Sequence, residues 1–313
     1  MDRPRLTIIV VNWNTVSLLR DCLDSLLGKE MGIAHEIIVV DNASVDGSPQ
    51  MVAETFPSVR LICNNENLGF AKANNQAIKE AKGDYILLLN SDTVVPDNQI
   101  FPEWLSFMDR HREGGASGCK LIKADGAHWV GDAGFKPSLG TIFSYSFFLS
   151  KLFPGIFKGL FLNYHVKADA AEVDWVSGAA FLVRGAILPE VGLLDEKVFM
   201  YAEDVEWGCR IRSSGYKIFY LPGLVIIHLV GASTKKHKEG VFPHLWIENL
   251  RRLYGRFNPG QPLFLFDLIF AAGLFVRSFL YLVGYMASGK DKWRHKSKEM
   301  LSYFSFLALK KRG

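Results

Sequence analysis

The chain has little cysteine: Cys22, Cys63, Cys119 and Cys209 are scattered through 313 residues, with no Cys-x-x-Cys pair and no metal-ligand spacing. That excludes a disulfide-stapled scaffold and a zinc ribbon, and predicts buried thiols in a reducing compartment. The opening Met-Asp-Arg-Pro-Arg-Leu-Thr lacks the apolar core of a secretory signal, so the expectation is a cytosolic protein. The turn after the first apolar run lacks Gly-x-Gly-x-x-Gly, which disfavours a dinucleotide cofactor. Charged residues are 22% of the chain and apolar residues 49%, which fits neither a disordered chain nor a polytopic transporter. Net positive charge is confined to the C-terminus. Residues 289–313 hold eight Lys/Arg against Asp291 and Glu299, a net of +6, leaving −2 of the total +4 for residues 1–288. A basic tail on an acidic body argues against nucleic-acid binding and for a tail that faces an anionic membrane surface.

What is present alternates. Leu6–Val11 is a continuous β-branched run, as expected of a parallel strand buried on both faces. A helix is predicted over 15–28, where Leu18, Leu19, Cys22, Leu23, Leu26 and Leu27 recur at helical spacing. Strands at Glu36–Val40, Val59–Cys63 and Tyr85–Leu89 alternate with helices from Ser48 and over Ala71–Lys82. This is an α/β doubly wound pattern, in which ligands bind beyond the carboxyl ends of the strands. Those ends are polar: Asn12-Trp13-Asn14, Asp41–Ser44, Asn64–Gly69 and Asn90–Asp92. In the second half, Glu172–Arg184 reads as one strand and Asp204–Ser213 as a helix closed by Gly215. Lys217–Leu221 and Leu224–His228 read as two short strands divided by Pro222-Gly223. We expect residues 1–240 to form one catalytic domain and 241–313 a helical extension.

Two segments are unusually apolar. Residues 139–164 are rich in Phe, with Phe153, Phe157 and Phe161 spaced for one helical face, which predicts a helix covering the sheet or a surface that meets lipid. Residues 262–288 are apolar but carry Asp267 and Arg277, each costing about 2.5 kcal/mol or more at the centre of a simple membrane span. Asp267, Ser278, Tyr281, Tyr285 and Ser288 share a face, which favours a helix in the membrane interface or packed on the body. The following Lys290–Lys298 cluster with Trp293 suits anionic headgroups, although the same helix could pair two copies of the chain.

The chemistry-bearing residues sit at turns. Asn90-Ser91-Asp92 ends a buried strand on a carboxylate, an arrangement that suits a divalent cation beside a diphosphate. Glu203-Asp204 opens a helix, where acids are favoured by capping and by the helix dipole but can also serve as a base. His228 ends a strand twenty-four positions beyond Asp204.

Taken in order, Val-Asn-Trp-Asn, Asp-Asn-Ala-Ser-x-Asp-Gly-Ser, Asn-x-Gly-Phe-Ala-x-Ala-Asn-Asn, Asn-Ser-Asp, a Ser-Gly-Ala strand, Ala-Glu-Asp-Val-Glu and a late His resemble the inverting glycosyltransferases of family 2. The resemblance spans residues 6 to about 235 and is strongest to rhamnosyltransferase-type members. It implies a GT-A fold: a doubly wound, mostly parallel sheet, here with a C-terminal apolar and basic helical extension. It implies nucleotide-sugar binding at Asn12, Asn14, Asp41, Asn42, Ser44, Asp46, Asn67, Gly69, Phe70, Asn74, Asn90 and Ser91. It implies Mg²⁺ or Mn²⁺ held by Asp92 and His228, with Asp204 as base and Glu203 orienting the acceptor or tuning the base. The first position of the metal motif is Asn90 rather than Asp, so Asn90 is assigned to the ribose. The expected partners are a dTDP- or UDP-linked sugar donor and a lipid-linked glycan acceptor. The expected location is the cytoplasmic face of the inner membrane. A processive synthase should carry Gln-x-x-Arg-Trp and several clean spans. A nucleotidyltransferase should carry a glycine-rich basic loop after the first strand, and Asn12-Trp13-Asn14-Thr15 is not one. A non-catalytic nucleotide-binding membrane module would not need the acidic pair.

Overall fold

The computed structural model describes residues 3–162, 169–198, 201–229 and 242–309. Phe199 and Met200 of the acidic segment, residues 230–234 after His228, and Lys310–Arg312 of the basic tail lie outside the described residues. The chain forms two compact units, Met1–Ala133 with Val166–Lys238, and Gly134–His165 with Glu239–Gly313.

The apolar runs of the first unit become its sheet. β1 (Leu6–Asn12), β2 (His35–Asp41), β3 (Arg60–Cys63) and β4 (Tyr85–Asn90) lie parallel in the order β3-β2-β1-β4. Between them come α1 (Val16–Leu27), α2 (Ser48–Thr55) and α3 (Phe70–Glu80). Ile8, Ile9, Val10, Ile38, Val39 and Leu87 are wholly enclosed, which is why these strands are apolar on both faces. The register sets Asn12 beside Asp41, Asp41 beside Cys63, and Val11 beside Asn90. All four polar strand ends therefore gather along one edge. Three thiols are buried as expected, but Cys63, at the end of the outermost strand, is exposed.

The sheet continues through residues without a strand-like pattern. β5 (Thr93–Val94) and α4 (Ile100–Arg110) lead into β6 (Gly114–Ile122), followed by β7 (Ala133–Gly134), α5 (Leu139–Ser146) and α6 (Leu149–Leu152). β6 is built of small residues because its neighbours are large. A Cβ on Gly115 would stand 2.7 Å from that of Tyr216, and one on Gly118 would stand 2.6 Å from that of Val176. The expected single strand over 172–184 is instead three pieces, β8 (Ala171–Val173), β9 (Trp175–Val176) and β10 (Ala180–Arg184). After α7 (Leu188–Val191) and α8 (Glu203–Ser213), the expected pair of strands is one, β11 (Lys217–His228). Pro222-Gly223 forms a bulge, marked by a register shift against β6 between Leu221 and Val225, rather than a break. β10 runs antiparallel between β4 and β6, and β11 runs parallel to β6. The full order is β3-β2-β1-β4-β10-β6-β11-β5, with β8 also on β11.

The second unit contains α5, α6 and three C-terminal helices, α9 (Phe242–Phe257), α10 (Leu263–Ser288) and α11 (Asp291–Leu309). Its core joins Ile142, Leu160, Ile247, Leu250, Tyr254, Phe266, Phe270, Leu274 and Leu307. The helix expected through Phe153, Phe157 and Phe161 does not form. Pro154 disfavours helical backbone at Phe153, α6 ends at Leu152, and Phe153 and Phe157 are exposed.

Both charges of α10 have partners inside this unit. Arg251 Nε and Nη2 donate to the two Asp267 carboxylate oxygens at 2.7 and 3.2 Å. Arg277 donates to the Tyr145 and Ser146 carbonyls and stacks on Tyr145 and Phe148. α10 lies close to α5 because Gly273 has no side chain: a Cβ there would be 2.3 Å from that of Ser146. Asp267 and Ser278 are buried and Tyr281 and Tyr285 half-buried, as the helical wheel indicated, while Ser288 is exposed.

Candidate active site

The β1 and β2 ends are tied to each other by side chains. Asn12 is fully enclosed: its Nδ2 donates to Asp41 Oδ1 at 2.8 Å and to Ser44 Oγ at 3.1 Å, and its Oδ1 accepts from Thr15 Oγ1 at 2.6 Å. Asp41 Oδ2 accepts from the Ser44 amide at 2.8 Å. Asn14, in left-handed backbone at φ 55°, offers its amide to Ser44 Oγ and accepts from the Val45 amide, each at 2.8 Å. Asp46 takes the Val16 amide at 2.9 Å and the Ser48 hydroxyl at 2.5 Å. Burial opposes charge on Asp46, but these hydrogen bonds win and hold its carboxyl below the usual range.

Asn42 does the same for the next loop. Its Nδ2 donates to Asn67 Oδ1 at 3.2 Å and to the Gly69 carbonyl at 3.3 Å, while its Oδ1 accepts from Asn64 Nδ2 at 2.9 Å. Asn67 Oδ1 also accepts the Gly69 amide at 3.0 Å, and Gly69 enters α3 at φ 79°, a conformation that favours glycine. Asn74 is buried and returns its Nδ2 to the Phe70 carbonyl one turn back, at 2.9 Å. Most of the sequence-predicted nucleotide residues therefore come together, and their side-chain hydrogen bonds run to one another and to loop backbone.

At the end of β4, Ser91 joins the same cluster through Thr15, 2.9 Å between hydroxyls. Asp92 Oδ1 lies 3.1 Å from His228 Nε2, and both residues are nearly enclosed. Antiparallel pairing of β5 with the end of β11 brings them together. Asn90 Nδ2 stands 3.5 Å from the same ring nitrogen. One hard oxygen and one imidazole nitrogen suit Mg²⁺ or Mn²⁺, whose remaining positions go to phosphate and water. Among the described residues no cluster of three or more such ligands occurs.

The acidic pair sits at the first turn of α8. Tyr201 and Ala202 precede it with φ of 66° and 70°, two consecutive left-handed residues other than glycine, a strain of about 1–3 kcal/mol each that aims the turn. Asp204 Oδ2 accepts the Gly178 amide at 3.1 Å and Oδ1 accepts the Val205 amide at 2.8 Å. Gly178 lies between Asp204 and Phe70: a Cβ there would be 3.1 Å from the Phe70 ring and 3.9 Å from Asp204 Cβ. The α3 entrance and the α8 carboxylate thus meet around a residue where a side chain would press on the Phe70 ring. Glu203 Oε2 is buried with no hydrogen-bond partner. Burial, and then the charge of Asp204, push the Glu203 carboxyl up to about 8, and burial raises Asp204 against its two backbone hydrogen bonds. Near neutrality Glu203 therefore keeps its proton.

Two groups of residues escaped the sequence reading. Trp129 sets its ring edge against His228 at 5.0 Å between centroids. Asn75, Trp207 and Arg210 hold the chain before the acidic pair. A tryptophan in a polar hairpin and the second Asn of Asn74-Asn75 were the available signals.

Residues 7–141 match the sequence model of the family described as Glycosyl transferase family 2. An N-acetylglucosaminyl-diphospho-decaprenol L-rhamnosyltransferase of Mycobacterium tuberculosis is 29% identical over 244 residues, 73% of this chain and 77% of the relative. An O-antigen biosynthesis protein of Myxococcus xanthus is 26% identical over 240 residues, 74% of this chain but 18% of that longer protein. Among solved structures, a mannosyltransferase from Pyrobaculum calidifontis in complex with GDP-Man and Mn²⁺ aligns with a TM-score of 0.57 at 19% identity, over 99% of this chain and 87% of that one. S. aureus TarS 1–349 in complex with UDP aligns with a TM-score of 0.55 at 19% identity, over 96% and 80%. Over residues 7–141 the chain is similar to the family 2 glycosyltransferases, and its fold is the GT-A fold of these solved transferases.

Proposed function

We propose that the chain is an inverting, non-processive enzyme that transfers L-rhamnose from dTDP-L-rhamnose to a lipid-linked glycan in cell-surface polysaccharide synthesis. The observation that carries the chemistry is the Asp204 carboxylate, fixed by the Gly178 and Val205 amides beside Phe70. The sugar and acceptor class follow the mycobacterial relative, whose name specifies both. A UDP-linked donor is the second reading, because solved proteins of this fold bind UDP and UDP-GlcNAc. The catalytic role is assigned to residues 1–240 and the membrane-facing role to the helices of 241–313.

In this reading Asp204 accepts the proton of the acceptor hydroxyl as its oxygen forms a bond to C1 of the sugar. The bond from C1 to the phosphate oxygen breaks on the opposite face, and the nucleoside diphosphate departs with that electron pair. One displacement inverts the anomeric centre. Protonated Glu203 keeps a second negative charge away from the base and presents a hydrogen bond to the acceptor. A divalent cation held by Asp92 and His228 would offset the charge that grows on the leaving diphosphate. Asn12, Asp41, Asn42 and Asn67 act by shaping the β1, β2 and β3 loops around the nucleoside.

The second unit is assigned to the membrane surface. Phe264, Leu268, Phe275, Phe279, Leu282, Val283 and Met286 lie on one side of α10 and are exposed. Beside them Lys292 and Lys296 stand over Trp293, and Arg294 over Tyr285. Apolar insertion with a basic rim supplies two signals for peripheral attachment to the cytoplasmic leaflet. α10 is long and apolar enough to cross a membrane, with 26 residues and a hydropathy of 2.0. The internal Asp267 and Arg277 contacts favour the surface position.

Three outcomes are expected. Purified protein with Mg²⁺ or Mn²⁺ and a polyprenyl-diphospho-N-acetylglucosamine acceptor releases nucleoside diphosphate from one donor of a dTDP-, UDP- and GDP-sugar panel. EDTA abolishes this release, and Asp204→Asn lowers it by about 10² to 10⁴. Equal rates for mutant and wild type would remove Asp204 from the chemistry. Glu203→Gln changes how stability depends on pH. Wild type keeps its Glu203 proton up to about 8 when folded, but loses it near 4.3 when unfolded. Its stability is therefore fully present below that lower value and falls as pH rises through the upper one. Urea unfolding should show the Gln variant gaining on wild type between pH 5 and pH 9, and a constant difference would contradict the buried proton. Finally, the full chain should sediment with phosphatidylglycerol-containing vesicles. Replacing Lys292, Arg294 and Lys296 by Gln should weaken that binding by roughly five-fold per charge. Protein that stays in the supernatant would count against the membrane assignment.

A further inference from the structure

Between α7 and α8 the backbone is held by side chains at four consecutive carbonyls. Val191 O accepts from Arg210 Nη1 at 2.6 Å, Gly192 O from Trp207 Nε1 at 2.9 Å, Leu193 O from Arg210 Nη2 at 2.5 Å, and Leu194 O from Asn75 Nδ2 at 2.9 Å. The Leu194 amide returns to Asn75 Oδ1 at 3.1 Å, so Asn75 reads both groups of one residue, and its Nδ2 also meets Glu196 Oε1 at 3.0 Å. Arg210 is locked by Glu206, which is fully enclosed and accepts from Nε and Nη2 at 2.7 and 2.8 Å. Asn75 and Trp207 are buried as well.

These anchors come from two helices with different tasks. Asn75 stands on α3, five residues after Phe70 at the donor-side entrance. Trp207 and Arg210 stand on α8, three and six residues after Asp204. At 1.5 Å per residue each anchor lies within about 9 Å along its helix of the point where Phe70, Gly178 and Asp204 meet. The two helices are therefore joined twice, once at Gly178 and once through residues 191–194. A loop needing only to connect α7 to α8 would leave its carbonyls to water. Here four in succession are taken by buried or half-buried donors, which fixes both the length and the angle of the connection.

We propose that residues 191–194 form a strap that sets the position of the Asp204 carboxylate relative to the donor, with Asn75 and Arg210 as positioning residues. The inference rests on the assignment of Asp204 as base. Acceptor attack needs the hydroxyl, the base and C1 aligned, and a displacement of about 1 Å costs roughly 10²-fold. Water is small and approaches from more directions, so hydrolysis of the donor tolerates the displacement better than transfer does. Loosening the strap shifts the outcome from transfer toward hydrolysis.

The test compares wild type, Asn75→Ala and Arg210→Lys in the full chain. The donors are dTDP-L-rhamnose and UDP-GlcNAc, assayed with and without polyprenyl-diphospho-N-acetylglucosamine. Arg210→Lys keeps a cation opposite Glu206 but loses the fork across Val191 and Leu193, so it serves if Asn75→Ala does not fold. The expected result is a kcat for transfer lowered by about 10- to 100-fold. Donor KM should change by less than about three-fold, and the ratio of hydrolysis to transfer should rise by about ten-fold or more. Transfer and hydrolysis falling together, or an unchanged ratio, would make the strap a purely structural feature and overturn the proposal. Wild type that turns over no donor would instead sink the base assignment, and the strap's role with it. A wild type that turns over donor equally well as Asp204→Asn would do the same.

Discussion

A carboxylate enclosed within a protein depends on donors that cannot move. For Asp204 those donors are backbone amides, Gly178 on one side and Val205 on the other. Much of the first unit follows from that requirement. Residue 178 has no side chain because the Phe70 ring occupies the space. The chain enters α8 through two left-handed residues, which turns the first helical turn, and its positive end, toward Gly178. Glu203, adjacent to Asp204 in the chain, retains its proton because it is buried and, second, because Asp204 lies beside it.

The nucleotide side follows a different logic. The carboxamides at the strand ends are directed inward, and each closes a loop: Asn12 joins β1 to β2, and Asn42 joins β2 to the β3 loop. Removing one leaves buried partners unsatisfied, at about 1–3 kcal/mol per group, and changes loop shape before it changes any ligand contact. The second unit resolves its own conflict in a similar way. Asp267 and Arg277 look incompatible with an apolar helix, yet each is satisfied locally, by Arg251 and by carbonyls of α5. The opposite side of α10 is left apolar and exposed.

Much of this was legible from pattern. β1, β2 and β4 announced themselves as uninterrupted apolar runs, and the boundaries expected for them differ from those observed by a residue or so. β6 was invisible for a physical reason: it is central, and its glycines make room for Tyr216, Phe219 and Val176 rather than contributing bulk. Pro222-Gly223 looked like a break because a bulge and a turn use the same residues. Phe153, Phe157 and Phe161 had helical spacing, but Pro154 disfavours the helix they would need. At the site, motif order brought these residues into view, while their hydrogen-bond partners required coordinates. Nothing in Asn74-Asn75 distinguishes a side chain that bonds back one turn within its own helix from one that reaches 119 positions onward to Leu194.

The central claim is direct displacement at C1 with Asp204 as base, and the anomeric configuration of the product tests it most directly. The one-bond C1–H1 coupling constant of the sugar in the disaccharide lipid formed from a donor of known configuration gives the answer. The account predicts a configuration at C1 opposite to that of the donor. Retention would require a second displacement or front-side attack and would contradict the account.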